Sequence, residues 1–381
     1  MRLALVHSRY SDAVPSGENA VVDAECRALR AAGVEVGLFQ TAPDAVRSGR
    51  LYPLRAAARV ATGRGFGFTD AVEAFQPDLV HVHNAFPDLA ERPLAGLPFP
   101  LVVTAHNYRT FCANGYAFRD GHTCLDCLSG RGGTWSAVRH RCHRGALGSL
   151  PLAVRNIGGP AANPLFAHAR RVLIPSDQAR RVLVGAGLPE AKAVVSPHFL
   201  PDALIPPVRQ RSLHQEVFLF IGRLTPEKGL DSLLENWPAG RRLLVVGEGP
   251  ERERLARTYG GRTAEFTGQL PRARVIELLS SARGLVFASR WWETFGLVAM
   301  EALAAGTPVV SVGQHAVADL VRTSDVGRAV ASPEELPVAV AAIEEKDPGV
   351  WHDLAVAAFE AHFSQRVWTA RRLQEYAEAA G

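Results

Sequence analysis

The strongest constraint on this chain lies between Leu285 and Gly313. Leu285-Val-Phe-Ala288 is a short, wholly apolar run, and Val309-Val-Ser-Val312 is nearly so. Runs this short, without polar alternation, fit strands covered on both faces. Between them, Gly296 to Ala305 is rich in Ala, Leu and Met, which favours helix, and Gly306 with Pro308 stops it. Strand, loop, helix, strand is the unit of a parallel sheet, whose loops at the carboxyl ends of strands are where ligands bind. The loop holds Glu293, and Glu301 lies on the helix. A helical rise separates these carboxylates by roughly 10 Å. Between them, the amides of Thr294, Phe295 and Gly296 and the positive end of the helix dipole suit an anion. A ligand with hydroxyls at both ends and phosphate in the middle, such as a nucleoside diphosphate sugar, matches that order. Two solvated glutamates capping a helix match it equally well.

The same pattern recurs along the chain. Arg2 to Val6, Val34 to Phe39, Asp78 to Asn84, Leu101 to Asn107 and Arg171 to Ser176 read as strands, the last of these closing a first domain. Val21 to Ala32 has helical spacing and Gly33 ends it. Pro197, Pro201, Pro206 and Pro207 give linker composition, placing a boundary near 205. Val217 to Ile221 opens a second domain, in which Leu230 to Trp237 reads as a helix. Trp351 to Ala380 reads as one long helix whose Trp351, Phe359, Phe363 and Trp368 must dock on something. The expectation is therefore an α/β protein with domains 1–204 and 205–350 and a helical tail, 351–381. A length of 381 residues favours two domains over one.

Composition excludes several classes. A net charge of +4, not gathered in one block, gives no indication of nucleic acid. No apolar run approaches the roughly 18 residues of a membrane span. The opening Met-Arg-Leu-Ala-Leu-Val-His lacks a signal-peptide core, so a cytoplasmic location is expected. The run Arg139-His-Arg-Cys-His-Arg144 fits a solvated loop, or contact with an acidic ligand or membrane surface.

Three further groups carry chemistry. Gly222-Arg223-Leu-Thr-Pro-Glu-Lys228-Gly229 follows directly on a buried strand, so its glycine permits close approach and its two cations can flank one diphosphate. The turn Gly247-Glu248-Gly249 also follows a strand but lacks the spacing of a dinucleotide fingerprint. His83 and His106 both stand at strand ends on one edge of the first sheet. Finally, Cys112, Cys124, Cys127 and Cys142 lie within a segment of about 108–151, from a total of five cysteines. One Cys-x-x-Cys pair with two distant partners fits a tetrahedral structural zinc, with His140 and His143 as substitute ligands. Reduced thiols, or disulfides that a cytoplasmic protein rarely keeps, are the alternative.

Glu293-Thr-Phe-Gly-Leu-Val-Ala-Met-Glu301-Ala-Leu-Ala-Ala-Gly-Thr-Pro resembles the signature of glycosyltransferase family 4, retaining enzymes of the GT-B fold. The resemblance is specific from Phe218 to Gly313 and looser before that. It implies two Rossmann-like domains facing across a cleft and a tail that crosses back to the first. It implies that Arg223 and Lys228 hold the donor diphosphate, Glu301 the ribose and Glu293 the sugar. Gly222, Gly247 and Glu248 would sit near the nucleotide, Arg272 to Val275 near the base, and His106 near the sugar and first phosphate. Gly17 stands where the family has paired glycines lining the acceptor side, and here only one of them matches. Catalysis would use no metal, since no Asp-x-Asp cluster is present and Arg223 with Lys228 replaces the cation. The partners implied are a UDP- or GDP-linked sugar and a natural-product, lipid or glycan acceptor. Two other classes share these features. A nucleotide-sugar-binding protein without turnover would show no donor hydrolysis. A phosphorylase would need a lysine for pyridoxal phosphate, and Lys228 is the sole lysine between Lys192 and Lys346.

Overall fold

The apolar runs become two six-stranded parallel sheets in a computed structural model that describes residues 1–10, 16–42, 47–129, 132–205 and 216–381. Each sheet anchors one compact unit. The first unit comprises Met1–Arg119, Cys124–Pro197 and Thr369–Gly381; the second comprises Asp120–Thr123 and His198–Trp368. The main division thus falls at Pro197/His198, before most of the proline-rich stretch.

In the first unit the elements are β1 (Arg2–His7), α1 (Gly17–Ala31), β2 (Glu35–Gln40), α2 (Tyr52–Thr62), β3 (Leu79–Asn84), β4 (Leu101–Thr104), α3 (Gly145–Arg155), β5 (Arg171–Ile174) and β6 (Ala193–Val195), among shorter helices. Sheet order is β2-β1-β3-β4-β5-β6. β5 is not the closing strand expected, because β6 pairs alongside it. β6 is a half-buried edge of three residues and so lacks the apolar signature of an interior strand. α1 starts at Gly17 rather than Val21, since the Ser16 side chain accepts from the Asn19 amide and caps a polar first turn.

The second unit contains β7 (Val217–Ile221), α4 (Leu230–Glu235), β8 (Arg242–Val246), β9 (Glu265–Gly268), α5 (Arg272–Ser281), β10 (Gly284–Phe287), α6 (Leu297–Ala304), β11 (Val309–Val312), α7 (Ala316–Ser324), β12 (Gly327–Val330) and α8 (Pro348–His362). Its order, β9-β8-β7-β10-β11-β12, is that of a doubly wound nucleotide-binding sheet. Its core is double, one apolar cluster on each face. The tail is two helices rather than one, with α8 ending at His362 and α9 (Gln365–Ala380) beginning after Phe363 and Ser364. The backbone is diverted there because the Leu200 amide bonds to Phe363 O and Ser364 bridges Leu200. From Thr369 on, α9 belongs to the first unit.

Both sheets reverse strand order at one point, between β1 and β3 in the first and between β7 and β10 in the second. Loops leaving the sheet on either side of such a point diverge and leave room for a ligand.

Candidate active site

The second switch point gathers the donor residues that the sequence suggests. β7 pairs with β10 through Phe218–Gly284 and Leu219–Leu285, so the loops after them run side by side although 65 residues separate Lys228 from Glu293. The loops also touch directly. The Arg290 amide donates to Glu227 O at 2.9 Å. Gly229 has φ 69°, and a Cβ there would lie 2.1 Å from Ala288 O, so no side chain fits between the loops.

Lys228 Nζ meets Glu293 Oε2 at 2.5 Å, and the same oxygen accepts from Ser289 Oγ and from Trp291 Nε1, each at 3.1 Å. Burial would raise the Glu293 carboxyl, but the Lys228 charge and these bonds outweigh it and hold it below its ordinary value. Behind the pair lies His315, the N-cap of α7, which sequence reasoning missed. Its Nδ1 accepts from the Ala318 amide and its Nε2 lies 3.0 Å from Val312 O, an arrangement that keeps one proton on the ring. Burial lowers it to about 4. Its place after Gly313 at the end of a strand, like that of His106 at the end of β4, was the signal available.

Arg223 lies on the same loop, 56% exposed at its side chain and 3.4 Å from Glu227. Gly222 and Gly247 bring two loops together, since Gly247 has φ 143° and a Cβ on it would lie 1.9 Å from Gly222 O. Glu248 is half exposed and pairs with Arg252 at 3.4 Å. Thr294 is buried, and the Phe295 ring packs on His198 and Phe363, so their side chains belong to the core. Gly296, with φ 92°, turns the chain into α6. Glu301, on α6, pairs with Arg272 of α5; burial raises its carboxyl and Arg272 opposes that.

Gly17 and His106 belong to the first unit. Gly17 is the exposed first residue of α1. His106 Nε2 lies 3.0 Å from His83 Nδ1, so the two strand-end histidines are in contact. Behind them is a buried charge that the sequence did not reveal. Glu25 Oε1 accepts from Tyr376 Oη at 2.7 Å and from Arg372 at 3.2 Å, and Oε2 lies 3.7 Å from His83 Nε2. Burial would raise Glu25, but Arg372 and the bonds from His81 and Tyr376 outweigh it and hold it at about 2. The signal was a carboxylate among Val21, Val22, Cys26 and Leu29 on the inward face of a helix. Glu18, beside Gly17, is the reverse case: burial pushes its carboxyl up to about 8 despite Arg109 nearby.

Glu25, His81 and His83 are the only described group of three or more metal-ligand side chains whose donor atoms lie within 4.8 Å of one another. Arg372 already supplies a cation there, which leaves no charge for a metal to balance. Cys112, Cys124, Cys127 and Cys142 are joined in no disulfide and line one cavity of about 10 Å³ with His140. They do not close to that spacing. Burial and then the other three thiols push Cys127 up to about 12. No described helix is long and apolar enough to cross a membrane.

The comparisons agree with this architecture. Residues 15–203 match a family model described as Glycosyltransferase Family 4, and residues 215–345 one described as Glycosyl transferases group 1. One stretch is 34% identical over 135 residues to a GDP-mannose-dependent alpha-(1-6)-phosphatidylinositol dimannoside mannosyltransferase of Mycobacterium tuberculosis, covering 34% of this chain and 35% of that protein. Another is 33% identical over 189 residues to a GDP-mannose-dependent alpha-mannosyltransferase of the same species, covering 47% and 48%. The matched stretches span less than half of these relatives. Among solved structures, sucrose-phosphate synthase from Thermosynechococcus elongatus aligns over 99% of this chain and 98% of its own with a TM-score of 0.71 at 19% identity. Anabaena HepE in complex with UDP-glucose aligns over 99% and 100% with a TM-score of 0.66 at 17% identity. Two doubly wound parallel-sheet units with these neighbours define the GT-B fold. The chain belongs to the glycosyltransferase family 4 type within it.

Proposed function

We propose that this protein transfers a glycosyl unit from a nucleoside diphosphate sugar to a hydroxyl acceptor with retention of anomeric configuration. The observation that carries this reading is the part-buried Lys228–Glu293 pair at the second switch point. The donor diphosphate enters beside Lys228 and Arg223, taking the ammonium over from Glu293. The freed Glu293 accepts from sugar hydroxyls, while Glu301 accepts from the ribose. The amides of Thr294 to Gly296, with the Lys228 charge, stabilise the departing diphosphate, which is where charge develops. His106 contributes a hydrogen bond to sugar or phosphate. The relatives' names favour a GDP- or UDP-linked donor.

The test is a thermal-shift panel of UDP, GDP, ADP and dTDP, followed by donor turnover with the best base and the anomeric configuration of the product read by NMR. A stabilising nucleotide, slow donor hydrolysis and a retained anomer are expected. An inverted product would overturn retention, and absence of any nucleotide shift would overturn the donor site.

The cysteine cluster holds a structural zinc in this reading. Four cysteines outside any disulfide line one small cavity and supply the donor set, and their sulfurs would draw closer together to ligate one ion. Arg290 donates to Gly121 O at 2.9 Å, a contact that the cysteine segment makes through its own backbone. One zinc per chain by elemental analysis is expected; stoichiometric free thiols without metal would refute it. Activity survives EDTA as long as the zinc is retained, and recovery by magnesium alone would contradict metal independence.

A further inference from the structure

The first unit contains a cavity of about 530 Å³ that none of the donor residues line. This lies within the range of about 300–1,000 Å³ typical of small-molecule sites. Tyr10 enters it after β1, Phe86 after β3 and Arg109 after β4, so it opens at the carboxyl ends of the strands beside the first switch point. Helices α2 and α3 form its other wall.

The lining combines two chemistries. Val60, Phe86 and Leu152 are apolar, and Leu54 of α2 and Leu147 of α3 carry this outward, 70% and 87% exposed. Leucines so exposed on adjacent helices are costly to leave in water unless something covers them. Against this surface stand Arg47, Arg109 and Arg144. Arg47 is neutralised by Asp88 at 2.8 Å, which also accepts from Tyr52 at 2.7 Å. Arg109 lies 4.4 Å over the Phe86 ring and donates to the carbonyls of Ala113 and Asn114, which anchor the guanidinium without cancelling its charge. Glu18 lies nearby, but burial raises its carboxyl and Arg109 only partly opposes that. Among the described residues no carboxylate forms an ion pair with Arg109 or Arg144.

We propose that this cavity is the acceptor site and that the acceptor is an amphipathic anion, its phosphate or carboxylate held by Arg109 and Arg144 and its hydrocarbon laid over Phe86, Leu54 and Leu147. The acceptor role rests on the glycosyltransferase reading; the ligand chemistry does not. A neutral glycan satisfies neither the cations nor the leucines.

Calorimetric titration with dodecyl phosphate below its micellar concentration is the direct test, with inorganic phosphate and dodecyl maltoside as partial probes. Dodecyl phosphate binds, and each partial probe binds at least about tenfold more weakly. Arg109→Ala with Arg144→Ala, and separately Val60→Trp, weaken dodecyl phosphate by about tenfold or more, while nucleotide binding in the second unit is unchanged and reports an intact fold. Leu147→Ser, at an exposed position that threatens no core, weakens it to a smaller extent. Vesicles of phosphatidylglycerol separate the two sources of this chemistry: adsorption that survives Val60→Trp is surface binding, whereas dodecyl phosphate binding that survives it overturns the cavity. Equal binding of dodecyl maltoside, or no binding of dodecyl phosphate by a protein that still binds nucleotide, overturns the proposal. Loss of nucleotide binding in the unsubstituted protein instead refutes the enzyme reading.

Discussion

Each unit sets a carboxylate against a cation, and the two pairs are built differently. Glu25 and Arg372 are each 1% exposed at their side chains, and Glu25 is further held by Tyr376 and approached by His81 and His83. Glu293 and Lys228 are 12% and 18% exposed, and the ammonium is paired with Glu293. The first pair is enclosed by further hydrogen-bonding and charged groups. The second leaves the lysine able to exchange one anion for another. The closed pair serves as scaffold, and the partly exposed one is the pair we propose opens to take the donor diphosphate.

Substitutions should separate the two pairs. Arg372→Ala leaves Glu25 as an unpaired buried charge and should destabilise the fold by about 3–5 kcal/mol in denaturant titration. A loss below 1 kcal/mol would make the pair unimportant. Lys228→Ala should instead cut turnover by about 10²–10³-fold, at least as much as it weakens donor binding, because its charge matters most as the diphosphate leaves. A raised Michaelis constant with unchanged turnover would remove the contrast. Its effect on stability should be smaller than that of Arg372→Ala, since Ser289 and Trp291 still donate to Glu293. Glu301→Gln should weaken the donor by about 1.5–3 kcal/mol with turnover at saturation little altered; a turnover defect would move Glu301 into the reaction itself.

The smallest effects concern pH. Glu25 is lowered from 4.5 to about 2, so its contribution is present above pH 4.5 and lost as pH falls through 2. Glu18 is raised from 4.5 to about 8, so its contribution is present below pH 4.5 and lost as pH rises through 8. Glu25→Gln should therefore flatten the acid limb of a thermal-midpoint profile, and Glu18→Gln the alkaline limb. The reverse assignment would show that the two environments have been misread.

The interior of the fold was legible in the sequence and its margins only in part, the edge strand β2 being read and others not. β7, β10 and β11 announced themselves because strands covered on both faces must be apolar throughout. β6 and β12 are only partly buried, and their sequences carry no such mark. The break at Phe363 and Ser364 was hidden for a different reason: it answers to Leu200, far away in sequence. For the candidate site, residue types and strand ends could be read, and these pointed to Arg223, Lys228, Glu293 and Glu301. Their pairings could not, because Lys228 meets Glu293 only through the order of strands in the sheet. Glu25 was missed because its partners, Arg372 and Tyr376, come about 350 residues later.

That last separation has a consequence for biosynthesis. The first sheet emerges from the ribosome long before the stretch of α9 that supplies Arg372 and Tyr376 to Glu25. Until that stretch is made, α1 carries an acid with no counter-charge on its inward face. The amino-terminal unit therefore completes its buried charge pair only after the second half has been translated, when α9 supplies Arg372.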